Sequence, residues 1–327
     1  MNPNQKRVLL GMSGGVDSSV AGYLLREQGY DVIGVTMKVW PQDCISRAED
    51  KCCGPQAVAD ARAVAHSLGI PHYVVDEADQ FERMVIDYFT SEYQAGRTPN
   101  PCVICNEKLK FGNLWGKAEA LGCDYIATGH YAIIEHQEDR AVLRKGADPR
   151  KDQSYFLFSL RQPQLRRALT PLGAMRKPEI RKIAHSLGLK VADKIDSQEL
   201  PGGSARPRYV VDLDAKTNRV IVGDVDDLVC DEFKIDRTNW IGRDLTSESV
   251  ELAVKVRYSH PGTRATVTPL ENHRARIRLH EPQRAVTPGQ AAVIYDGDVV
   301  VGGGWICRGE PPGHYEPVRR SESLVPA

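Results

Sequence analysis

The first part of the chain, up to about residue 135, alternates between short apolar runs and amphipathic stretches. The apolar or β-branched runs lie at 8–10, 31–37, 72–76 and 125–130, and stretches with helical spacing lie between them at 57–68, 80–94 and 110–121. Strands separated by helices of this length need crossover connections and form a parallel sheet covered on both faces. The pattern predicts an α/β domain that binds its ligand at the carboxyl ends of the strands.

The rest of the chain changes character twice. Residues from about 151 to 190 have a mainly helical, basic pattern, which three prolines interrupt. After a linker-like stretch, Tyr209–Asp214 and Arg219–Gly223 predict a hairpin. Short β-rich runs beyond Trp240 predict a small antiparallel barrel. We therefore predict three domains: an α/β domain with the basic helical segment (1–200), a shortened central domain (201–246) and a C-terminal β-barrel (247–327).

The segment between the first strand and the first helix is the most informative motif. It runs Gly11-Met12-Ser13-Gly14-Gly15-Val16-Asp17-Ser18. Glycine permits a tight turn, and the first N–H groups of a helix lack partners, so such a loop can bind phosphate. It has neither the Gly-Lys-Ser/Thr of kinase-type loops nor the G-x-G-x-x-G of dinucleotide loops. It resembles the SGGxDS signature of the pyrophosphate-loop (PP-loop) ATPases, which cleave ATP between the alpha and beta phosphates and transfer AMP to an oxygen.

Composition limits the compartment and the partners. Eight irregularly spaced cysteines in 327 residues favour a reducing cytoplasm over a disulfide framework. No apolar run approaches the roughly 20 residues of a membrane span, so we expect no membrane association. Lys and Arg together equal Asp and Glu at 43 each, but the cations concentrate in residues 151–190 and 253–284. Two basic faces favour a polyanion such as RNA, with ordinary solvated faces as the alternative.

A second motif, Arg97 to Asn106, carries two cysteines. Prolines at 99 and 101 stiffen the loop, and Cys102-x-x-Cys105 begins a predicted helix. A thiolate at that position is expected to be a good nucleophile or metal ligand. A lone C-x-x-C fits a redox pair, half of a zinc site or iron–sulfur ligands, although the flanking Pro-Asn-Pro disfavours a thioredoxin-type pair.

Further motifs follow in the order in which one known family carries them. They are Ala127-Thr128-Gly129-His130-Tyr131, Lys151-Asp152-Gln153-Ser154-Tyr155, Val256-Arg257-Tyr258, Pro288-Gly289-Gln290-Ala291 and Gly302-Gly303-Gly304-Trp305-Ile306. With the two motifs above, they resemble the tRNA-specific 2-thiouridylase (MnmA/TrmU) family over nearly the whole chain. The resemblance implies an ATP-dependent sulfurtransferase that adenylates the C2 oxygen of the wobble uridine in the tRNA anticodon loop. Sulfur then replaces that oxygen, and AMP is released.

The resemblance also implies roles for individual residues. The nucleotide-binding positions are Gly11, Met12, Ser13, Gly14, Gly15, Val16, Asp17, Ser18, Met37 and Gly129. The positions that contact tRNA are Asn100, Pro101, Cys102, Lys151, Asp152, Gln153, Arg257 and Tyr258. Cys105 matches the nucleophilic cysteine, and Asp17 would help to place Mg²⁺ or to orient the phosphates. The target base must leave its stack, which an anticodon loop permits more cheaply than a duplex.

The chain departs from the family after Asp196-Ser197, where a second, persulfide-carrying cysteine is usual. Here the sequence continues Gln198-Glu199-Leu200-Pro201-Gly202-Gly203 and rejoins the family pattern at 208–212. Several dozen residues of the usual central domain, including that cysteine, are missing. We therefore expect an atypical, shortened member of the family.

Three explanations for sulfur delivery stay open. In the first, Cys102 replaces the missing cysteine and forms a persulfide and disulfide pair with Cys105. In the second, Cys102 and Cys105 join a third cysteine around an iron–sulfur cluster, such as 4Fe-4S, whose open iron binds sulfide. The candidates for the third ligand are Cys44, Cys52 and Cys53. In the third, the protein binds tRNA and ATP but transfers no sulfur. The cluster is favoured because an extra cysteine accompanies the loss of the usual carrier.

Two rival functions and several sulfur donors are compatible with the sequence. One rival is a PP-loop ligase that uses ammonia, although no glutaminase or ammonia-channel segment is visible. The other is a catalytically impaired protein that only binds tRNA and ATP. A cysteine desulfurase, a relay protein or free sulfide could supply the sulfur.

Overall fold

A computed structural model describes residues 5–39, 55–189, 191–192, 209–214, 219–223, 228–245 and 248–307. The α/β part has a five-stranded parallel sheet in the order β3-β2-β1-β4-β7. Its strands are β1 (Arg7–Gly11), β2 (Asp31–Lys38), β3 (His72–Asp76), β4 (Tyr125–Ala127) and β7 (Ala168–Leu169). The first four strands and their parallel pairing confirm the predicted α/β fold.

Helices connect these strands and cover the sheet. They are α1 (Val16–Glu27), α2 (Pro55–Ser67), α3 (Ala78–Phe81), α4 (Asp87–Gln94), α5 (Pro101–Ile104), α6 (Leu114–Ala120), α7 (Gln162–Leu165) and α8 (Lys177–Ser186). π-helical segments at Glu82–Ile86 and Cys105–Asn113 join α3 to α4 and α5 to α6, and a 3₁₀ turn spans Ser154–Leu157. Within the described ranges, no helix is long and apolar enough to cross a membrane.

The segment from 151 to 190 is less helical than its pattern predicts. It contains the 3₁₀ turn, two separate helices and the edge strand β7. Proline occupies the first turn of both α7 and α8, where its missing N–H costs no helical hydrogen bond. The prolines therefore start new helices, and the residues between the helices are free to pair with β4.

The C-terminal part is a closed antiparallel barrel of six strands. They are β10 (Val229–Trp240), β11 (Val250–Lys255), β12 (Thr263–Leu270), β13 (Arg274–Arg284), β14 (Ala291–Asp296) and β15 (Val299–Ile306). Pairing between β10 and β15 closes the ring. Its inner face is apolar because buried and outward residues alternate along β12 and β13. The predicted barrel is confirmed, and its sheet begins with β10, a strand that lies before the predicted boundary at 247.

Two hairpins complete the fold. The hairpin of β8 (Tyr209–Asp214) and β9 (Arg219–Gly223) has the predicted strand limits. The hairpin of β5 (Ala132–His136) and β6 (Ala141–Lys145) was not predicted; it emerges from the α/β domain and extends the barrel sheet next to β15.

One apolar core joins the parallel sheet to the barrel. Leu9 and Ile126 of the sheet belong to the same buried cluster as Phe158, Tyr295 and Trp305. A large hydrophobic contact of this kind opposes relative motion between the two parts. The barrel is therefore held in place against the α/β domain.

Candidate active site

The phosphate loop is held by short contacts to the neighbouring strand. The N–H of Met12 donates to the carbonyl oxygen of Val35 at 2.7 Å, and the Thr36 hydroxyl donates to the Met12 carbonyl at 2.8 Å. Met37 follows on the same strand, near the carboxyl end of β2. The loop thus leaves the sheet in a fixed direction at the edge where a ligand was predicted.

Two glycines shape the turn into α1. Gly14 has φ +69°, and a Cβ on it would lie 2.2 Å from the carbonyl oxygen of Ala57 in α2. Gly15 occupies the N-cap of α1 and has no side chain to cap the helix. No side chain caps α1, so its first N–H groups and the positive end of the helix suit an anion.

Asp17 is the centre of the polar contacts in this crevice. Its carboxylate accepts hydrogen bonds from Lys177 Nζ at 2.8 and 2.9 Å and from the Tyr131 hydroxyl at 2.6 Å. Lys177 is the first residue of α8, and its side chain is only 10% exposed. A buried cation at the positive end of a helix is unfavourable by itself, so Asp17 offsets its charge. The pair places an ammonium group beside the phosphate loop.

The sequence analysis missed Lys177 because it counted that lysine only as one of many charges in a basic segment. Its neighbours Pro178 and Glu179 are a helix-start signal, and a lysine in the first turn of such a helix is unusual. That signal could have singled it out.

Gly129 and His130 bring the end of β4 against the same helix. A Cβ on Gly129 would lie 2.9 Å from the backbone nitrogen of Ser18, so only glycine allows this approach. His130 is buried, and its Nδ1 lies 2.7 Å from the Thr128 hydroxyl. Burial, with a smaller effect of Lys110, holds the pKa of His130 well below its usual range. Burial therefore favours the neutral imidazole at this position, after the end of β4.

The cysteine loop, residues 97–105, lies between the α/β domain and the barrel. Pro101 begins α5, Cys102 is exposed, and Cys105 is partly buried at the start of the π-helical segment. Residues three apart on a helix share one face, so both thiols point to the same side. The described residues hold no group of three His, Cys, Asp or Glu that could bind a metal. Cys44, Cys52 and Cys53 lie outside the described residues.

The other predicted tRNA-contact residues lie where the α/β domain meets the barrel. Buried Asp152 accepts N–H bonds from Gly146 and Ser154 at 3.0 and 3.1 Å, and Gln153 accepts the Tyr131 N–H at 3.0 Å. Two of the remaining residues also have internal partners. Arg257 donates to the Arg284 carbonyl at 2.8 Å, and Tyr258 packs on Phe156 with ring centroids 4.5 Å apart. Their contacts with tRNA stay predictions.

The remaining predicted contacts belong to the cysteine loop and its surroundings. Asn100 is buried and its side chain hydrogen-bonds Tyr155, whose hydroxyl donates to the Ala291 carbonyl at 2.8 Å. Lys151 is partly exposed next to Asp152. Cys105, the expected nucleophile, thus lies on the same loop as Asn100, Pro101 and Cys102, which are expected to contact the base.

This fold and loop define a PP-loop α/β protein joined to a β-barrel. The chain matches the family model described as "tRNA methyl transferase HUP domain" over residues 6–201 and the one described as "Aminomethyltransferase beta-barrel domain" over residues 230–306. The chain belongs to the tRNA-specific 2-thiouridylase (MnmA) family, a family of tRNA sulfurtransferases.

Curated relatives cover nearly the whole chain. A tRNA-specific 2-thiouridylase MnmA 1 of Clostridium botulinum is 44% identical over 353 residues, which cover 92% of this chain and 99% of that protein. An MnmA 2 of Clostridium tetani is 44% identical over 358 residues, with 94% and 100% coverage. Both alignments are longer than this chain of 327 residues, so these relatives carry residues that it lacks.

Proposed function

We propose that this protein thiolates tRNA at the expense of ATP, converting the wobble uridine of the anticodon loop to 2-thiouridine. The C2 oxygen of the uridine attacks the alpha phosphorus of ATP, and pyrophosphate leaves. A sulfur nucleophile then attacks C2, and AMP leaves with the original oxygen. Adenylation is needed because the carbonyl oxygen is a poor leaving group until AMP is attached to it.

The observation that carries the proposal is that one segment links the phosphate loop to the cysteine loop: Tyr131, which bonds Asp17, donates its N–H to Gln153, and Tyr155 bonds Asn100. The phosphate loop and Lys177 supply N–H groups and an ammonium for a polyphosphate, and the cysteine loop supplies two thiols. The relatives that match over more than 90% of this chain are named 2-thiouridylases. The names of the two matching family models mention methyl and aminomethyl transfer, but neither reaction requires the cleavage of ATP that a PP-loop performs.

The chain's own residues have separable tasks in the activation step. The uncapped N–H groups of α1 and the Lys177 ammonium would bind the negative charge of the leaving pyrophosphate. Asp17 would hold Lys177 and the Tyr131 hydroxyl in place. For Asp17 also to contact Mg²⁺, one of its oxygens would have to exchange a lysine hydrogen bond for the ion. Neutral His130 can donate or accept a hydrogen bond without adding charge.

For sulfur delivery we favour a cluster held by Cys102, Cys105 and a third cysteine from 44, 52 or 53. Two thiols on one helical face at the start of a helix fit two of the ligands of such a group. When bound, the cluster would supply an iron at which sulfide can bind. The cysteine loop would orient that sulfide towards C2.

The alternative uses the same two cysteines without iron. A persulfide on one thiol would bring its outer sulfur to C2, and the other thiolate would then attack the inner sulfur. The S–S bond of the persulfide breaks as the Cys102–Cys105 disulfide forms, and an external thiol must reduce that disulfide before the next turnover. A cysteine desulfurase or a relay protein could provide the outer sulfur of the persulfide already at that oxidation level, whereas free sulfide could serve only the cluster route.

Two assays test the proposal. Purified protein with ATP, Mg²⁺, a sulfide source and unmodified tRNA should release AMP and form 2-thiouridine in equal amounts. The absence of both products would contradict it, and ammonia-dependent AMP release without tRNA would favour a ligase. An anaerobic absorbance spectrum with iron and sulfide assays on wild type and Cys102→Ala distinguishes the routes. Iron that is lost with Cys102 supports the cluster, and activity without iron supports the persulfide.

A further inference from the structure

A loop of the barrel hydrogen-bonds to the cysteine loop. This barrel clamp, residues 287–290, connects β13 to β14. The N–H of Thr98 donates to the Pro288 carbonyl at 2.8 Å, and Gln290 Nε2 lies 3.3 and 3.4 Å from the carbonyl oxygens of Thr98 and Pro99. All three contacts are made with backbone atoms of the cysteine loop, so they fix the path of its chain.

Gly289 makes the contact so close that no side chain fits. Its φ is +89°, and a Cβ there would lie 2.8 Å from the Thr98 oxygen, 2.9 Å from Arg97 Cβ and 3.0 Å from the Thr98 nitrogen. Two independent requirements, the left-handed backbone and the missing Cβ, therefore both demand glycine.

The barrel clamp is itself tied to the end of a barrel strand. The N–H of Gly289 donates to the Ile306 carbonyl at 2.9 Å, and the N–H of Ile306 donates to the Gln290 carbonyl at 2.8 Å. It therefore moves only with the barrel. On the other side, the guanidinium of Arg97 pairs with buried Glu92 through two bonds of 2.6 and 2.7 Å. Arg97, the first residue of the cysteine loop, is therefore held by the α/β domain, and the following Thr98 and Pro99 are held by the barrel.

We propose that the barrel clamp positions the two cysteines, so that the barrel decides where Cys102 and Cys105 lie relative to the phosphate loop. Only Asn100 and Pro101 separate the clamped residues from Cys102, and Pro99 and Pro101 limit the flexibility between them. Gly289 and Gln290 are thus positioning residues. This inference goes beyond the proposed function, because it concerns where the thiols are held and can be tested without thiolation.

The test compares Gly289→Ala with Gly297→Ala. Gly297 lies in the same barrel with φ +61°, and nothing lies within 4 Å of a Cβ built on it. Both variants therefore carry the strain of alanine in a left-handed conformation, but only Gly289→Ala pushes on the cysteine loop. Alkylation of Cys102 by iodoacetamide is followed by peptide mass spectrometry on the reduced full chain with a chelator present. Thiolation kinetics and ATP affinity are measured in parallel.

We expect Gly289→Ala to change the alkylation rate of Cys102 by about fivefold or more. It should lower kcat for thiolation by about tenfold or more while ATP affinity stays within about twofold. Gly297→Ala should leave all three quantities within about twofold. Equal alkylation rates in the two variants would overturn the proposal, and so would a loss of ATP affinity as large as the loss of kcat. If neither variant thiolates tRNA but alkylation differs, only the proposed function fails.

Gln290→Ala provides the second variant in case Gly289→Ala does not fold. It removes the bonds to Thr98 and Pro99 and leaves the backbone unstrained. For Gln290→Ala we expect a smaller change of the Cys102 alkylation rate, in the same direction as for Gly289→Ala. If Gly289→Ala is insoluble, a change in either direction relative to wild type is the expected result. An alkylation rate equal to that of wild type would overturn the proposal.

Discussion

The backbones of the phosphate loop and the cysteine loop are held in different ways. The contact between Thr36 and Met12 at the phosphate loop spans 24 residues. The contact between Gln290 and Thr98 at the cysteine loop spans 192 residues and comes from the barrel. The backbone of the phosphate loop is thus held by the adjacent strand of its own domain, although the Asp17 side chain also bonds the distant Lys177, whereas the backbone of the cysteine loop is held by the barrel. The comparison suggests that activation by ATP and delivery of sulfur can be damaged separately.

Cys105→Ala should give the largest difference between the loss of thiolation and the loss of ATP binding. Removing the nucleophile or ligand should lower 2-thiouridine formation by about 1000-fold or more, because both the persulfide route and the cluster route require the Cys105 thiol. ATP affinity should stay within about twofold, since the phosphate loop makes its contacts elsewhere. Product formation is measured by nucleoside mass spectrometry, and nucleotide binding by calorimetry.

Cys123→Ala is the matched control for this prediction. Cys123 is buried beside β4, and burial raises the pKa of its thiol to about 11. Its loss should leave thiolation within about twofold. Comparable losses in both variants would mean that the cysteine effect is one of stability, not of chemistry.

Lys177→Ala should have the opposite effect: it should impair the reaction with ATP and leave the cysteine loop unchanged. Without the ammonium, the charge of the leaving pyrophosphate is less well stabilised, and Asp17 is left without its cation. AMP release should fall by about 100-fold, while alkylation of Cys102 is unchanged. Lys182→Ala, at an exposed position of the same helix, should have no effect. The assignment fails if the two lysine variants release AMP at the same rate.

Gly14→Ala should lower stability and ATP binding more than Gly29→Ala does, and this difference is smaller than the effects above. Both glycines have positive φ, at +69° and +84°, but only a Cβ on Gly14 meets the backbone of Ala57. Each substitution carries about 1 kcal/mol of backbone strain. Gly14→Ala should cost about 2 kcal/mol more and weaken ATP binding, because α2 or the loop must shift. Urea unfolding with and without ATP measures both, and equal midpoints would show that the turn tolerates a side chain.

The smallest effect concerns pH. The folded pKa of His130 lies below its unfolded value near 6.5, so the unfolded chain takes up a proton that the folded chain resists. The stability contributed by the neutral ring is present above about pH 6.5 and is lost as pH falls through that value. The loss for one histidine is at most about 1.4 kcal/mol per pH unit. Burial also lowers the pKa of half-buried His72 and of buried His260.

His130→Asn should therefore flatten the fall of unfolding free energy between about pH 6.5 and 5, because asparagine does not titrate and can still bond Thr128. Denaturant titrations at several pH values give the slopes, and an unchanged slope in His130→Asn would place the pH dependence elsewhere.

The same contrast between local and distant contacts explains what the sequence could predict. The limits of β8 and β9, the first four strands of the parallel sheet (β1 to β4) and the turn at Gly14 follow from patterns within a few residues. The joining of β5 and β6 to the barrel, the edge strand β7 and the Lys177–Asp17 pair do not. That pair spans 160 residues, and such a contact leaves no periodicity in either segment. The barrel clamp escaped prediction for the same reason, although its glycine lies within a recognised motif.

The central claim is that AMP is attached to the C2 oxygen of the target uridine before sulfur arrives. A tRNA anticodon stem-loop with a heavy-oxygen label at that position, incubated with the protein, ATP, Mg²⁺ and sulfide, tests it most directly. The account predicts that the label appears in the released AMP, in the same amount as 2-thiouridine forms. Unlabelled AMP accompanying 2-thiouridine would contradict it.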